Sequence, residues 1–473
     1  SEEFQTEHYI KKSDEPEIWS SHFTYHGHRY VEVSCLNGDL GETTLEGLVM
    51  HSDLSRRTQF EASDERLKTL LELSHWSTIS NMMGLPTSDP HREKNSWTGD
   101  TNIAADQTLL NYDSIQIYLK WLDDVCDCQR PDGAIPCFCP SPGWGYNWGN
   151  GPDWSMALTA IPWRLYLESG NKKILEKYYP NIAGHFAFMQ SMAVDNILDY
   201  GIGDWCAPFD GPALAVNMGS FKTPRALTDT SFYYQCACIL DKMAEILGKE
   251  NPYREIKEDI KETLLEQFVD ADGKVAGDCQ TAYATMLYNQ VAGEELEQKM
   301  LGHLVRTIEE KNGHLDFGLI GNKFVPESLG RLGRADLYYE MIGKKSYPSY
   351  LYWHEHGATT LLECWNMGGS HNHVMFSYVV SAIYYYIAGI RFDRTRAGMK
   401  NYVIEPSLLC ESLSCRLETP NGLLSLHWEK QADNTFRVEI DLPFGCEAEV
   451  RLPGRENQII KSGRLFTCEV TKA

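Results

Sequence analysis

From residue 64 to residue 388 apolar side chains recur at intervals of three and four, the spacing of one helical face, whereas towards both ends of the chain they tend to alternate. The run from 64 to 83 sets the pattern, with Leu67, Leu70, Leu71 and Trp76 on one stripe. Further helices are predicted over 103–125, 154–169, 173–194, 230–247, 253–268, 278–291, 294–309, 335–342 and 373–388, with almost no strand signal between them. An all-α domain over 63–389 follows. Before it, 23–33 is aromatic and β-branched and reads as strand, and Asn37-Gly38-Asp39-Leu40-Gly41 reads as a turn, so residues 1–62 are expected to form a short β segment. After it, 402–404, 423–428, 436–442 and 468–470, separated by Pro and Gly turns, predict a C-terminal β-sandwich over 390–473 that caps the helical domain.

The connections between helices are unusual. Residues 131–136, 142–154 and 201–208 each join Gly and Pro to Asp, and the last two add Trp. Glycines let the backbone turn sharply, indoles offer a face on which sugar C–H groups stack, and carboxylates accept hydroxyl hydrogen bonds. Such loops on one side of a helical barrel make a cleft wall.

The formal charge of -23 disfavours nucleic acid and anionic membrane as partners and suits a neutral substrate. The first residues, Ser1 to Gln5, show neither a basic leader nor an apolar stretch, and no later run reaches the roughly 18 apolar residues of a membrane span, so a cytoplasmic location is expected. The fourteen cysteines include the close pairs Cys126/Cys128, Cys137/Cys139, Cys236/Cys238 and Cys410/Cys415. Their spacing differs from that of structural zinc loops, and reduced, mostly buried thiols are expected, with neither metal nor disulfides.

Two islands carry the chemistry. Residues 86–100 gather Asp89, Arg92, Glu93, Lys94, Trp97 and Asp100 just beyond a helical run, and 357–366 bring Glu363 beside Trp365. Two carboxylates with indoles point to glycoside hydrolysis, in which one carboxyl protonates the leaving oxygen and the other activates water. Each residue also has a plainer role open to it: Glu93 as a surface acid, Glu363 as a buried paired acid, Asp100 as an N-cap. Asp153 and Asp204 sit beside Trp in Gly loops and are candidates for ligand contact or for turn formation. Trp97, Trp148, Trp154, Trp205 and Trp365 are candidate sugar platforms. His373 either contacts a hydroxyl or satisfies a backbone carbonyl, Arg92 is suited to clamp a carboxylate, and His427 is the one sandwich residue considered for the site. His354-Glu355-His356 lacks the spacing of a zinc-protease helix, and no phosphate-cradling glycine loop is present.

Taken in order, 23–33, 86–100, Gly203-Asp204-Trp205, 281–284, 357–365 and 372–376 resemble the bacterial α-L-rhamnosidase family of inverting glycoside hydrolases. The resemblance implies a mainly α fold, an (α/α)6 barrel with the short N-terminal β segment and the C-terminal sandwich, and fewer N-terminal β-domains than the family commonly has. It implies Glu93 as general acid and Glu363 as general base, with Asp100 and the Trp-bearing loops holding the sugar. It also implies release of terminal α-L-rhamnose from rhamnosylated small molecules or oligosaccharides, without a cofactor; a homodimer is left open. Two positions depart from the family pattern: Ser88 stands where a sugar-binding Asp is usual, with Asp89 one residue later, and Leu362 replaces the Trp before the second Glu. These departures bear on the exact sugar. The alternatives are a hydrolase or lyase of the same barrel acting on another sugar, and a non-catalytic sugar-binding relative.

Overall fold

The computed structural model describes residues 5–34, 45–209, 222–432 and 434–471. Strand β1 (Thr58–Ala62) leads into alternating outer and inner helices. Outer α1 (Glu65–Ser80) precedes inner α2 (Thr98–Asn111); outer α3 (Ile115–Asp127) and the single turn α4 (Pro152–Ser155) precede inner α5 (Ala157–Ser169). Outer α6 (Lys172–Met192) precedes inner α7 (Arg225–Leu247), and outer α8 (Tyr253–Phe268) precedes inner α9 (Gln280–Asn289). Outer α10 (Glu294–Glu310) precedes inner α11 (Leu319–Arg331). Finally α12 (Ala335–Ile342) and α13 (Tyr350–Glu355) precede inner α14 (Tyr378–Ala382), which runs on as a π-helical turn, Ile383–Ile387. Helix α2 packs on α5, α5 on α7, α7 on α9, α9 on α11, α11 on α14, and α14 back on α2, so the six inner helices close an (α/α)6 ring.

The two rings differ in sequence because they differ in surroundings. Outer α10 buries Met300, Leu301, Leu304 and Ile308 and turns Glu294, Glu295, Glu309 and Glu310 to solvent. All residues of inner α2 are buried, and two of its polar members fold back on their own helix: Thr108 Oγ1 donates to the Ala104 carbonyl at 2.9 Å and Asn111 Nδ2 to that of Gln107 at 2.8 Å. Inner helices therefore carry little amphipathic signal. Helix α11 was not predicted at all, since Gly321, Pro326 and Gly330 argue against a helix, yet ring packing requires small residues there: a Cβ at Gly330 would lie 2.1 Å from the Tyr386 ring. The short α13 was also missed.

The helix predicted over 103–125 is two elements. Tyr112 is extended and bridges to Arg56, and Asp113 donates its amide to the Ser55 carbonyl at 2.9 Å, which reverses the chain between α2 and α3. Of the strands expected in the first sixty residues, only β1 occurs among those described. Phe23 has a left-handed φ of 60° and Tyr30 and Val31 face solvent, and among the described residues the aromatic run 23–33 pairs with no strand. The turn expected at 37–41 lies outside the described residues.

After the ring come β2 (Ile390–Phe392), β3 (Asn401–Ile404), β4 (Ser412–Thr419), β5 (Gly422–Lys430), β6 (Thr435–Asp441), β7 (Glu447–Val450), β8 (Gln458–Lys461) and β9 (Phe466–Thr471). They form sheets of order β1-β4-β5-β6-β9 and β2-β3-β7-β8. β1 joins the larger sheet antiparallel to β4, with Phe60 opposite Cys415, so the chain enters the barrel from the sandwich that follows it. Arg394, just past β2, reaches Glu327 on α11 at 3.0 Å, and Arg57, just before β1, pairs with Glu168 on α5. Among the described residues no helix is long and apolar enough to cross a membrane. Among the described residues no disulfide joins the thirteen cysteines, most of which are buried.

Candidate active site

The loop between α1 and α2 is wound around one carboxylate. Asp89 Oδ1 accepts the amides of His91, Arg92 and Glu93 at 3.0, 2.6 and 3.1 Å, so three successive N–H groups converge on it and Arg92 and Glu93 are held out from the turn. Asp89 Oδ2 and the Ser88 hydroxyl are buried without a hydrogen-bond partner. The Ser88 carbonyl accepts the Val374 amide at 3.2 Å, which fastens this loop to the one before α14.

That second loop carries Glu363. Its Oε2 accepts the Ser370 amide at 2.7 Å, and its own amide donates to the Ser370 carbonyl at 3.0 Å. Gly369 makes this hairpin: its φ is +70°, and a Cβ there would stand 2.3 Å from Glu363 Oε2. Arg92 joins the two loops, its Nη2 lying 2.8 Å from Glu363 Oε2 and 3.3 Å from Glu93 Oε1. Both strong contacts of Glu363 fall on Oε2 and leave Oε1 unengaged by them. Glu93, whose side chain is one-third exposed, also takes the Trp97 indole N–H on Oε2 at 2.6 Å.

Asp100 lies on the first turn of α2 with its carboxylate 3.6 Å from His373 Nδ1. Burial pushes its carboxyl up to about 7; His373 opposes that rise, while the charges of Glu363 and Glu93 add to it. Beneath Glu363, the thiols of Cys364 and Cys206 touch at 3.3 Å, and burial raises that of Cys206 well above its ordinary value.

Aromatic rings border Glu93. Trp97 meets Trp144 and Trp148 edge-on, each at 6.2 Å, and Phe138 packs behind Trp97 and Trp144 at 5.4 and 4.3 Å. Trp144 and Trp148 are 50% and 55% exposed, so their faces are open to a ligand. Trp144 was not among the predicted site residues, although its Gly-Trp-Gly setting in the 142–154 loop was a usable signal.

The structure brings Glu93, Glu363, Arg92, Asp89, Asp100, His373, Trp97 and Trp148 to this end of the ring, and corrects others. Asp204 is buried and gives both oxygens away: the amides of Gly318, Ile320 and Gly321 donate at 2.9 to 3.0 Å and Thr281 Oγ1 at 2.6 Å, so it anchors the start of α11. Asp153 similarly binds the amides of Ile202 and Gly203 at 2.7 and 2.6 Å and that of Trp154 at 2.9 Å. Trp365 is a core residue, stacked on Trp353 at 4.6 Å and donating its N–H to the Phe317 carbonyl at 2.8 Å. Trp154 is buried against Gly99, whose absent side chain makes room for the indole. Trp205 is half-buried and its carbonyl accepts the Leu319 amide at 2.8 Å. His427 lies mid-strand in β5, opposite Ser414 and Glu439, and not in a loop of the barrel mouth.

Six helical hairpins closed into a ring, with two carboxylates presented on its loops, define a six-hairpin glycosidase fold. The chain belongs to the bacterial α-L-rhamnosidase family: residues 55–387 match the model of its 6 hairpin glycosidase domain, 389–466 that of its C-terminal domain, and 1–51 that of its concanavalin-like domain. It is 30% identical to an α-L-rhamnosidase of Streptomyces avermitilis over 466 residues, covering 95% of this chain and 44% of the relative. One from Formosa agariphila is 29% identical over 96% of this chain and 50% of the relative. The chain thus spans about half the length of the curated relatives it matches. Among solved structures, the α-L-rhamnosidase of Dictyoglumus thermophilum superposes with a TM-score of 0.81 at 31% identity, covering 86% of this chain and 46% of that one. The Streptomyces avermitilis enzyme complexed with L-rhamnose gives 0.80 at 28%, covering 87% and 40%.

Proposed function

We propose that this chain hydrolyses terminal α-L-rhamnosides, with Glu93 as general acid and Glu363 as general base. The observation that carries this reading is the single Arg92 nitrogen in contact with both carboxylates, which come from loops 270 residues apart in the sequence. Family membership supports the sugar, since the Streptomyces avermitilis relative is complexed with L-rhamnose. Asp100 and His373 supply an acceptor and a donor for sugar hydroxyls, Trp97 and Trp148 supply stacking faces, and Asp89 shapes the loop that presents Arg92 and Glu93. No step requires a cofactor.

We also propose inversion of configuration. The Arg92 contacts limit the nearest oxygens of the two carboxylates to about 6 Å apart. That is a ceiling, so the reading of inversion rests on membership of the rhamnosidase family, and it requires the two carboxyl groups to stand roughly 6.5–9.5 Å apart with room for a water between them. Glu363 Oε1 is the oxygen suited to that water. The free thiols support a cytoplasmic location, and β1 and β2 support domain boundaries near 62/63 and 389/390.

Incubation with an aryl α-L-rhamnoside, followed by NMR, tests the reading. β-L-rhamnose is expected as first product, and Glu93→Gln and Glu363→Gln are each expected to lower kcat by roughly 10²–10⁴-fold. First formation of the α anomer would remove inversion; an unsaturated product would make the protein a lyase; binding without turnover would make it a sugar-binding relative.

A further inference from the structure

We propose that Lys94 is a positioning residue for the acid, fastened to a strap formed by residues 25–29; the proposal rests on Glu93 being the general acid. Lys94 directly follows Glu93 and has a left-handed φ of 55°, a conformation that crowds a residue with a Cβ and that glycine would adopt freely. Its side chain accounts for a lysine here. The ammonium donates to the Tyr25 carbonyl and lies 4.5 Å from the centroid of the Tyr25 ring, a hydrogen bond and a cation–π contact made to one residue.

The strap is itself held closely. A Cβ on Gly27 would stand 2.9 Å from the Pro90 carbonyl oxygen, so the strap lies directly on the acid loop. The Tyr25 hydroxyl pairs with Thr87 at the start of that loop. Gln5 Nε2 donates to the Gly27 carbonyl at 3.1 Å, and His26 pairs with Glu7 at 2.9 Å. At its far end Arg29 Nη1 donates to the Gly357 carbonyl at 3.0 Å, at the head of the segment that carries Glu363. The strap therefore spans the two loops that bear the carboxylates. On one side of Glu93 the amides of residues 91–93 converge on Asp89; on the other, Lys94 is tied to Tyr25, so the acid sits between two fixed points.

A tether of this kind affects one quantity selectively. Proton donation matters in proportion to the basicity of the departing oxygen, so a misplaced acid slows substrates with poor leaving groups and spares those with good ones. The test compares phenyl and 2,4-dinitrophenyl α-L-rhamnosides in the wild type and in Lys94→Gly, Lys94→Arg, Tyr25→Ala and Glu93→Gln. Lys94→Gly keeps the left-handed backbone and removes the tether. It is expected to lower kcat on the phenyl substrate by ~10-fold, with less than ~2-fold change on the dinitrophenyl substrate and little change in KM. Tyr25→Ala, which leaves the acid loop's own sequence intact, is expected to show the same split, and Lys94→Arg to recover most of the loss. Equal losses on both substrates would make Lys94 merely structural, and no loss in Lys94→Gly would remove the tether; either result overturns the proposal. If Glu93→Gln itself shows no dependence on leaving group, the acid assignment fails, and the tether with it.

Discussion

Asp100 shows how much a residue's chemistry depends on neighbours that arrive from elsewhere in the chain. Its carboxyl, near 7 in the fold and about 3.9 in an unfolded chain, retains a proton between those values that the unfolded chain has released. Folding is accordingly more favourable at low pH, and stability falls as pH rises from about 4 to about 7 before levelling off. Asp100→Asn abolishes that slope, so the variant is expected to gain in urea midpoint relative to the wild type between pH 5 and pH 8; a pH-independent difference would contradict the raised carboxyl. Asp100 could be singled out as a candidate because the charged motif around it is dense. Asp153 and Asp204 stayed open between ligand contact and turn formation because an Asp beside a Trp in a glycine loop looks the same whether it holds a sugar or a row of amides; the structure gives both to backbone amides. For Asp204 the deciding partners are more than a hundred residues away, at 318–321, where sequence reading had found no helix.

At the scale of elements, that same carboxylate explains how α11 can begin. A helix that opens Gly318-Leu319-Ile320-Gly321 and contains Pro326 has poor intrinsic propensity, but three of its first amides are satisfied by Asp204. Asp204→Ala leaves those buried donors unpaired and is expected to cost about 2–4 kcal/mol, measured as a lower urea midpoint. A variant as stable as the wild type would show that the amides find other partners. Outer helices were read well, α8 and α12 residue for residue, because each has one wet face and one dry face. Inner helices were read less well since they have no wet face, and the strand expected at 23–33 failed because alternation alone supplies no partner strand.

Across the whole molecule, charge as well as apolar packing holds the ring. Asp106 on α2 meets Lys323 on α11 at 2.7 Å and Arg164 on α5 at 3.5 Å, and although burial works against it, these cations keep its carboxyl below the ordinary range. Glu327 on α11 continues the network to Arg394 and to the hydroxyls of Tyr378 and Tyr386, so that four inner helices, α2, α5, α11 and α14, are tied to the C-terminal domain. Removing one partner strands the others, so Asp106→Ala is expected to destabilise by roughly 3–5 kcal/mol and to lower the melting temperature of the ring and sandwich together; separate transitions would show that the two domains unfold independently. None of this network was visible in the sequence, where its members lie up to 288 positions apart and look like ordinary surface charges. The loops that lead into α2, α5, α7 and α14 meet at the mouth, whereas the contacts that close the ring lie in the helices behind them. Selection can therefore act on the two separately: a lineage can lengthen or exchange the 141–149 turn to admit a bulkier glycoside while inheriting, unaltered, the frame that folds.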